Sequence, residues 1–182
     1  MIIDKVWNYI MLKRKSVIIG DSLKINGRVY VHGYKGRVKI GDYCVIQSSH
    51  HHNPTSGFNH THITVGRDGF ISIGNHVGLS HANITSYNRI TIEDNVLIGS
   101  GVKIWDTDFH SVVYENRMLR PDPDAKSAPV KICEGSFIGA CSIILKGVTV
   151  GRHSVVGAGS VVTHDVPDGE IWAGNPAVCI RR

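Results

Sequence analysis

One histidine stands where acid–base chemistry can be expected. The segment WDTDFHSV places His110 five residues after Trp105 and close to two carboxylates, Asp106 and Asp108. Imidazole has a pKa of about 6.5, so a neutral histidine can accept a proton from a hydroxyl near neutral pH. His110 is therefore a candidate general base, although a lone loop histidine is more often a solvated surface residue. The aspartates would hold its second ring nitrogen or stiffen the loop.

Five of the 11 histidines fall in one polar segment, over about 47–70. They are His50, His51, His52, His60 and His62. Adjacent side chains of an extended segment point in alternating directions, so three consecutive histidines make a poor set of metal ligands. We expect exposed loop residues that border a binding cleft, and no metal site. We also expect the four cysteines to be free thiols, because no CxxC pair is present.

The elements that carry these residues are expected to be strands. The chain of 182 residues has 43 Ile and Val but only 6 Leu. β-Branched side chains favour strands, whereas Leu is typical of helix interiors. Hydrophobic residues make up 42% and charged residues 19% of the chain, which indicates one folded domain and excludes a disordered protein.

A six-residue repeat organises the sequence. From Ile132 the chain reads ICEGSF, IGACSI, ILKGVT, VGRHSV, VGAGSV and VTHDVP. Ile or Val opens each of these hexads, and the fifth position is small or β-branched. Earlier hexads open at Ile19, Ile25, Ile40, Ile73, Leu79, Ile92, Ile98 and Ile104.

This period predicts a triangular coil. Six matches neither the strand period of two nor the helix period of 3.6, so each hexad should form one short straight segment. Three segments close a coil of about 18 residues whose opening aliphatic residues point inward. Stacked coils then pair as parallel strands around a column of Ile and Val. The predicted fold is therefore all-β.

The hexads resemble those of the hexapeptide-repeat acyltransferases, which have an aliphatic residue, Gly, two free positions, a small residue and one more. The resemblance implies a left-handed parallel β-helix with a short N-terminal helix and protruding loops. The DTDFH string is similar to one in the branch that acts in polysaccharide and lipopolysaccharide biosynthesis. It implies that His110 is the general base of acetyl transfer from acetyl-CoA.

Breaks in the repeat divide the expected single domain. We predict a helical cap over 1–15, a β-helix over 16–167 and a C-terminal segment over 168–182. Insertions are expected at about 47–70 and at about 106–129. Such long stretches without repeat character are uncommon in a compact domain and usually carry function.

The resemblance also assigns binding residues. His81, Asn83 and Trp105 correspond to positions near the acceptor sugar. The arm of coenzyme A is expected to lie against backbone at small residues, and WAGNPAVCIRR resembles the closing segment of the family. The matching positions for the coenzyme are Ala140, Ala158, Thr163, His164 and Arg181.

The N-terminal segment combines an apolar face with basic residues. The apolar residues on that face are Ile2, Ile3, Val6, Trp7, Ile10 and Met11. We expect this helix to cap the first coil, and docking on a membrane or a partner is the alternative. No run approaches the roughly 18 apolar residues of a membrane span, and basic residues follow the apolar stretch instead of preceding it. We expect a soluble, cytoplasmic protein.

The charge balance of 20 basic and 15 acidic residues gives +5, which suits a phosphate-rich coenzyme. No nucleic-acid motif accompanies it. We expect an acetyl-CoA-dependent O-acetyltransferase for a carbohydrate acceptor that needs no metal. The resemblance implies a homotrimer with active sites between subunits. The alternatives are an amino-sugar N-acetyltransferase, a drug acetyltransferase, a zinc protein like the γ-class carbonic anhydrases, and a non-catalytic scaffold.

Overall fold

Three parallel sheets form the walls of a prism. The computed structural model describes residues 2–56, 59–119, 122 and 124–182. The first sheet contains β1 (Ile18–Ile19), β4 (Val38–Ile40), β7 (Ile71–Ile73), β10 (Ile90–Ile92), β13 (Val130–Ile132) and β16 (Thr149–Val150). The second contains β2 (Lys24–Gly27), β5 (Val45–Ser48), β8 (Gly78–Ser80), β11 (Leu97–Ile98), β14 (Phe137–Ile138), β17 (Val155–Val156), β19 (Ile171–Gly174) and β20 (Ala177–Arg181). The third contains β3 (Val29–Gly33), β6 (Thr61–Val65), β9 (Asn83–Ser86), β12 (Lys103–Trp105), β15 (Ile143–Ile144) and β18 (Val161–Val162).

Each coil contributes one strand to each wall, and successive coils pair in parallel, as in the pairing of Ile104 with Ile144. Among the strands of the described part of the chain, only β19 and β20 pair antiparallel. The helical elements are α1 (Ile2–Arg14), α2 (Tyr114–Arg117) and a 3₁₀ turn at Pro54–Ser56. None of the helices in the described ranges is long and apolar enough to cross a bilayer. The predicted parallel β-helix with a short N-terminal helix is confirmed.

The hexad-opening residues form the core. In the C-terminal run every one of them has a relative exposure of 0%: Ile132, Ile138, Ile144, Val150, Val156 and Val162. Fifth-position serines such as Ser142 and Ser160 are also buried and donate hydrogen bonds to the carbonyl of Gly157. The hexad rule therefore predicts which side chains point inward.

The corners impose a left-handed backbone conformation. Where the first wall turns into the second, one residue in each coil has a φ between 54° and 68°. These residues are Ser22, Tyr43, His76, Asn95, Gly135 and His153. Polar side chains join the corners of adjacent coils, since Asp94 accepts the N–H of Asn75 at 2.7 Å and Asn75 accepts that of Asp42 at 2.8 Å.

The first insertion is shorter than predicted. The predicted bounds are 47–70, whereas β5 ends only at Ser48 and β6 begins already at Thr61. The β6 strand alternates inward and outward side chains, with Ile63 and Val65 buried. Because β6 has a period of two, the six-residue pattern did not identify it as part of the repeat.

The α1 helix caps the first coil, but it does so with a different face from the predicted one. The buried side chains are Asn8 and Leu12, with Trp7 and Met11 partly buried beside them. Asn8 bonds the edge backbone twice, donating to the carbonyl of Gly27 at 2.8 Å and accepting from the N–H of Val29 at 3.0 Å. The backbone groups at this open edge need hydrogen-bond partners, so the helix packs on it with the face that carries the polar residue Asn8.

Candidate active site

The second insertion lies between β12 and β13, and its two ends are held together. Asp106 and Ala128 are joined by a backbone hydrogen bond of 2.9 Å, and Asp108 donates its N–H to the carbonyl of Lys126 at 2.9 Å. An antiparallel bridge joins Thr107 to Ser127 between them. This short ladder forms a rigid base from which the rest of the insertion projects.

The Asp106 side chain anchors this base to the coil below. It is fully buried and accepts hydrogen bonds from the Ser86 hydroxyl at 2.6 Å, the Tyr87 N–H at 2.7 Å and the Asn88 N–H at 2.9 Å. Asp108 instead pairs with Lys146 at 3.0 Å. Neither carboxylate contacts His110 in the described structure, so their contacts fit the loop-stiffening role and not the histidine-holding role.

His110 projects from the end of the ladder. Its side chain is 59% exposed. The preceding residue, Phe109, has a φ of 63° and packs its ring edge-on against those of Trp105 and Tyr87, with centroids 5.6 and 6.2 Å apart. These contacts fix the direction in which the chain leaves the prism. They therefore position the residue that follows.

The carboxylate beside His110 belongs to Asp122 and not to Asp106 or Asp108. Its Oδ2 lies 3.6 Å from Nδ1 of His110, within ion-pair distance but beyond a direct hydrogen bond. The same carboxylate accepts the N–H of Ser111 at 2.7 Å and that of Asp124 at 3.2 Å. The Ser111 hydrogen bond is the main reason that the pKa of Asp122 lies below its ordinary value, so the group is ionised at neutral pH.

This geometry suits proton transfer. Nδ1 of His110 faces a fixed negative charge, and Nε2 has no partner within the described residues. Catalytic hydrogen bonds are often long in a free enzyme and shorten when the substrate binds. An imidazole held in this way can accept a proton from a group that approaches from solvent.

A second polar site lies on the outer surface of the third sheet. It is a cleft of about 290 Å³ lined by Asn59, His60, His62, His81, Asn83, Gly101 and Lys103. His81 is 3% exposed, and its Nδ1 lies 3.1 Å from the Ser100 hydroxyl. Its Nε2 is buried without a hydrogen-bond partner within the described residues. A buried polar atom in this condition favours the binding of a polar group.

The cleft histidines are tuned towards the neutral form. Burial, the main cause in both, lowers the pKa of His62 and of His81 below its ordinary value, so each is uncharged at pH 7 and offers one donor and one acceptor. Three rings also stack, with centroids 5.6 Å apart for His32 and His62 and 5.0 Å apart for Tyr30 and His62.

The expectation that all five histidines of the first insertion are exposed is wrong for three of them, because His50, His60 and His62 are half-buried. His62 belongs to β6 and is half-buried, and His60 is half-buried with Nδ1 2.8 Å from the carbonyl of Ser48. His51 and His52 are exposed, as expected. The difference arises because the strand resumes at Thr61 and turns the following side chain onto the sheet surface.

The residues assigned to the acceptor lie at two edges of the third sheet. Asn83 begins β9, whereas Trp105 ends β12 and leads into the His110 insertion. No hydrogen bond, ion pair or ring contact among the described residues joins His81 or Asn83 to His110. A single chain therefore presents the cleft and the histidine on different edges of the prism.

The positions assigned to the coenzyme lie on the last coils. Ala140 and Ala158 occupy the same corner of successive coils, linked by the N–H of Gly159 donating to the carbonyl of Ala140 at 2.8 Å. A Cβ built on Gly139 would lie 2.5 Å from the backbone nitrogen of Ala158. The coils thus meet backbone to backbone here, with Ala140 half-buried and Ala158 exposed.

The remaining positions lie beyond this corner. Thr163 follows β18, and its hydroxyl lies 2.8 Å from Nδ1 of His164. Arg181 is the exposed last residue of β20, which turns back along β19. Asn175 and Pro176 form the turn between these two strands.

Comparison with known proteins is consistent with this architecture. Residues 129–164 match a family model described as bacterial transferase hexapeptide (six repeats). The chain belongs to the hexapeptide-repeat transferase family. The left-handed form of the β-helix, implied by the sequence resemblance, is confirmed by this family's solved structures.

Several relatives of the hexapeptide-repeat family are similar to this chain. Galactoside O-acetyltransferase of Escherichia coli is 35% identical over 119 residues, which are 62% of this chain and 57% of that protein. The chain spans about half the length of the curated relatives it matches first. A hexapeptide-repeat containing acetyltransferase from Vibrio cholerae has a TM-score of 0.66 at 24% identity, covering 98% of this chain and 80% of the other. A galactoside acetyltransferase in complex with coenzyme A has a TM-score of 0.58 at 26% identity, covering 96% and 68%.

Proposed function

We propose that this protein is an acetyl-CoA-dependent O-acetyltransferase that modifies a sugar hydroxyl during surface-polysaccharide or lipopolysaccharide assembly in the cytoplasm. The observation that carries the proposal is the exposed imidazole of His110, which projects from the base of the second insertion and faces the carboxylate of Asp122. The similarity to galactoside O-acetyltransferase and to a coenzyme A complex supports both the donor and the class of acceptor.

The reaction joins the acceptor oxygen to the acetyl carbon and breaks the carbon–sulfur bond of the thioester. His110 accepts the hydroxyl proton at Nε2 as the oxygen attacks, and then gives this proton to the departing thiolate. The carboxylate of Asp122 stabilises the imidazolium that exists between these two transfers. Asp106 and Asp108 hold the insertion in place.

The surface at Ala140 and Ala158 fits the extended arm of acetyl-CoA. Small side chains let a long chain approach the backbone, whose polar groups can then bond the amides of the arm. Thr163 continues this track at the next corner. His164 and Arg181, both exposed, are placed to meet phosphate groups.

The cleft at His81 fits a polyhydroxylated acceptor. Its buried Nε2 atom and the exposed amide of Asn83 can bond sugar hydroxyls. The half-buried ring of Trp105, at the edge that leads to His110, can stack on a sugar face there. Because the cleft and His110 lie on different edges of the prism, we propose that the active site forms between subunits of a homotrimer.

The outer face of the second sheet supports this assembly. It carries an apolar stripe, in which Leu97 is 55% and Phe137 is 44% exposed, with Val45 and Val155 half-buried beside them. Contiguous exposed apolar residues are typical of an interface. A solution mass near three times 19.9 kDa would support the proposal, and a fully active monomer would contradict it.

The decisive experiment measures release of the coenzyme A thiol with a panel of neutral sugars, amino sugars and nucleotide sugars, with His110→Ala as the inactive control. O-acetylated product from a neutral sugar is expected. Acetylation of an amine would support the amino-sugar alternative, and acetylation of a drug would support the resistance alternative. If no acceptor causes release of the coenzyme A thiol, the result would support the non-catalytic scaffold alternative.

The zinc alternative needs a separate measurement. Within the described residues, no group of three or more His, Cys, Asp and Glu side chains is arranged to hold a metal ion. Elemental analysis of the purified protein is expected to find no stoichiometric zinc. Activity that chelators abolish would contradict the metal-free mechanism.

A further inference from the structure

The α1 helix turns a row of large apolar side chains towards solvent. The exposed fractions are 81% for Ile2, 61% for Ile3, 52% for Val6, 64% for Tyr9 and 48% for Ile10. These five residues, called here the outer ridge, occupy the face opposite Asn8 and Leu12. The packing of α1 on the first coil therefore does not bury these five side chains.

Basic side chains surround the outer ridge. Lys13 bonds the Tyr9 hydroxyl at 3.3 Å and lies 5.5 Å from the centre of its ring, so its ammonium group sits at the border of the apolar row. Lys5 and Arg14 have no ion-pair partner among the described residues. Asp4, the one acidic residue of the helix, is bound to Arg28 at 2.8 Å.

The charge of the whole chain is concentrated at this end of the prism. Residues 1–37 contain eight Lys and Arg against two Asp, a balance of +6. The other 145 residues contain 12 basic and 13 acidic residues, a balance of −1. The net positive charge thus accompanies the exposed apolar helix and is absent from the rest of the molecule.

Grooves flank the outer ridge on both sides. One, of about 550 Å³, has an apolar floor that includes Leu23 and Ile25 and a rim with Lys5 and Lys24. The other, of about 360 Å³, is lined by Trp7, Ile10 and Met11 together with Arg14, Lys15 and Lys35. Ile19, beside the first groove, is 49% exposed because no coil lies beneath it.

We propose that α1 docks this end of the prism on the surface of an anionic phospholipid bilayer. An apolar row bordered by cations is the chemistry of helices that lie in the plane of a membrane interface, where aliphatic side chains enter the acyl boundary and ammonium groups meet lipid phosphates. A second copy of this chain would be repelled by a +6 surface, so charge complementarity favours the anionic lipid.

The docked orientation keeps the candidate active site accessible. The third sheet rises from β3, next to α1, through β6 and β9 to β12, which leads into the His110 insertion. Adjacent strands are about 4.8 Å apart, so these three steps place the end of β12 roughly 14 Å above the first coil. The docking does not depend on acetyl transfer, and its test requires no substrate.

The experiment measures co-sedimentation of the full chain with vesicles. We expect binding to vesicles that contain phosphatidylglycerol, little binding to pure phosphatidylcholine, and weaker binding as salt is raised. The double variant Val6→Ser/Ile10→Ser should lower the partition coefficient by at least about tenfold, because less apolar area enters the bilayer. The variant Lys13→Glu/Arg14→Glu should lower it through charge.

A matched control removes equally exposed apolar side chains elsewhere. Val112 is 84% and Val178 is 59% exposed, and Val112→Ser/Val178→Ser should bind vesicles like the original protein. Thermal unfolding checks that each variant is folded. Equal binding by the ridge variant and the control would overturn the proposal. A ridge variant that changes the oligomeric mass while vesicle binding persists would also overturn it, and would identify a second copy as the occupant.

Discussion

Oδ2 of Asp122 lies 3.6 Å from Nδ1 of His110 and accepts the N–H of Ser111 at 2.7 Å, so one carboxylate oxygen faces two consecutive residues. The backbone bond orients the carboxylate independently of the imidazole. Asp122 can therefore act as a positioning residue for a histidine that is itself exposed.

Asp122→Asn should lower kcat by about 10- to 100-fold while the KM for acetyl-CoA hardly changes, because the amide oxygen can keep the Ser111 hydrogen bond but the charge facing the imidazolium is lost. Steady-state kinetics check this. Asp108→Asn is the matched control, since its carboxylate pairs with Lys146 and not with His110. Equal losses in both variants would argue for a merely structural role.

Asp106→Ala should destabilise the fold. The substitution leaves the donors of Ser86, Tyr87 and Asn88 without their buried acceptor, and we expect the free energy of unfolding to fall by about 3 kcal/mol. Urea denaturation measures the change. Asp108→Ala, which breaks a half-exposed ion pair, should cost less than about 1 kcal/mol. The reverse order would contradict the anchoring role.

Acid should weaken the fold in part through Glu93. Its pKa lies below the ordinary value of 4.5, mainly because Lys131 bonds the carboxylate at 2.8 Å. The unfolded chain then takes up the proton at a higher pH than the folded one, so this stabilisation is complete above pH 4.5 and is lost as the pH falls through the folded pKa. Glu93→Gln should reduce the drop in Tm over this acidic range. An unchanged drop would mean that Glu93 contributes nothing to acid sensitivity.

Ala158→Trp should block the proposed coenzyme track. The indole would project from the corner shared with Ala140, and the Kd for coenzyme A should rise by about tenfold or more because the arm loses its approach to the backbone. Isothermal titration calorimetry measures this. Thr149→Trp, on the outer face of β16, is the control that introduces the same indole elsewhere. Unchanged binding in Ala158→Trp would place the donor site elsewhere.

Local periodicity predicts the prism well because each hexad determines its own inward side chain. Ile138 and Val156 are buried because each opens a hexad, and this position can be read from six consecutive residues. Asp122 could not be predicted in this way. It lies 12 residues beyond His110 in a segment without repeat, and only the folded insertion brings the two together.

The N-terminal helix and the β6 strand illustrate a second limit. Apolar spacing identified Ile2 and Val6 as cap residues, yet the open edge of the first coil offers the unpaired polar groups of Gly27 and Val29, and Asn8 satisfies both. A hydrophobic pattern does not show where backbone N–H and C=O groups need a hydrogen-bond partner. It also missed the alternation of β6, which carries His62 onto the cleft.

The kinetics of His110→Ala test the central claim most directly. The variant should lower kcat by about 10²–10⁴, the usual contribution of a positioned acid–base group, while calorimetric affinity for coenzyme A stays unchanged. His51→Ala, at an exposed histidine of the first insertion, should keep normal turnover. Near-normal kcat in His110→Ala together with a large loss in His51→Ala would contradict the assignment of His110 as the general base.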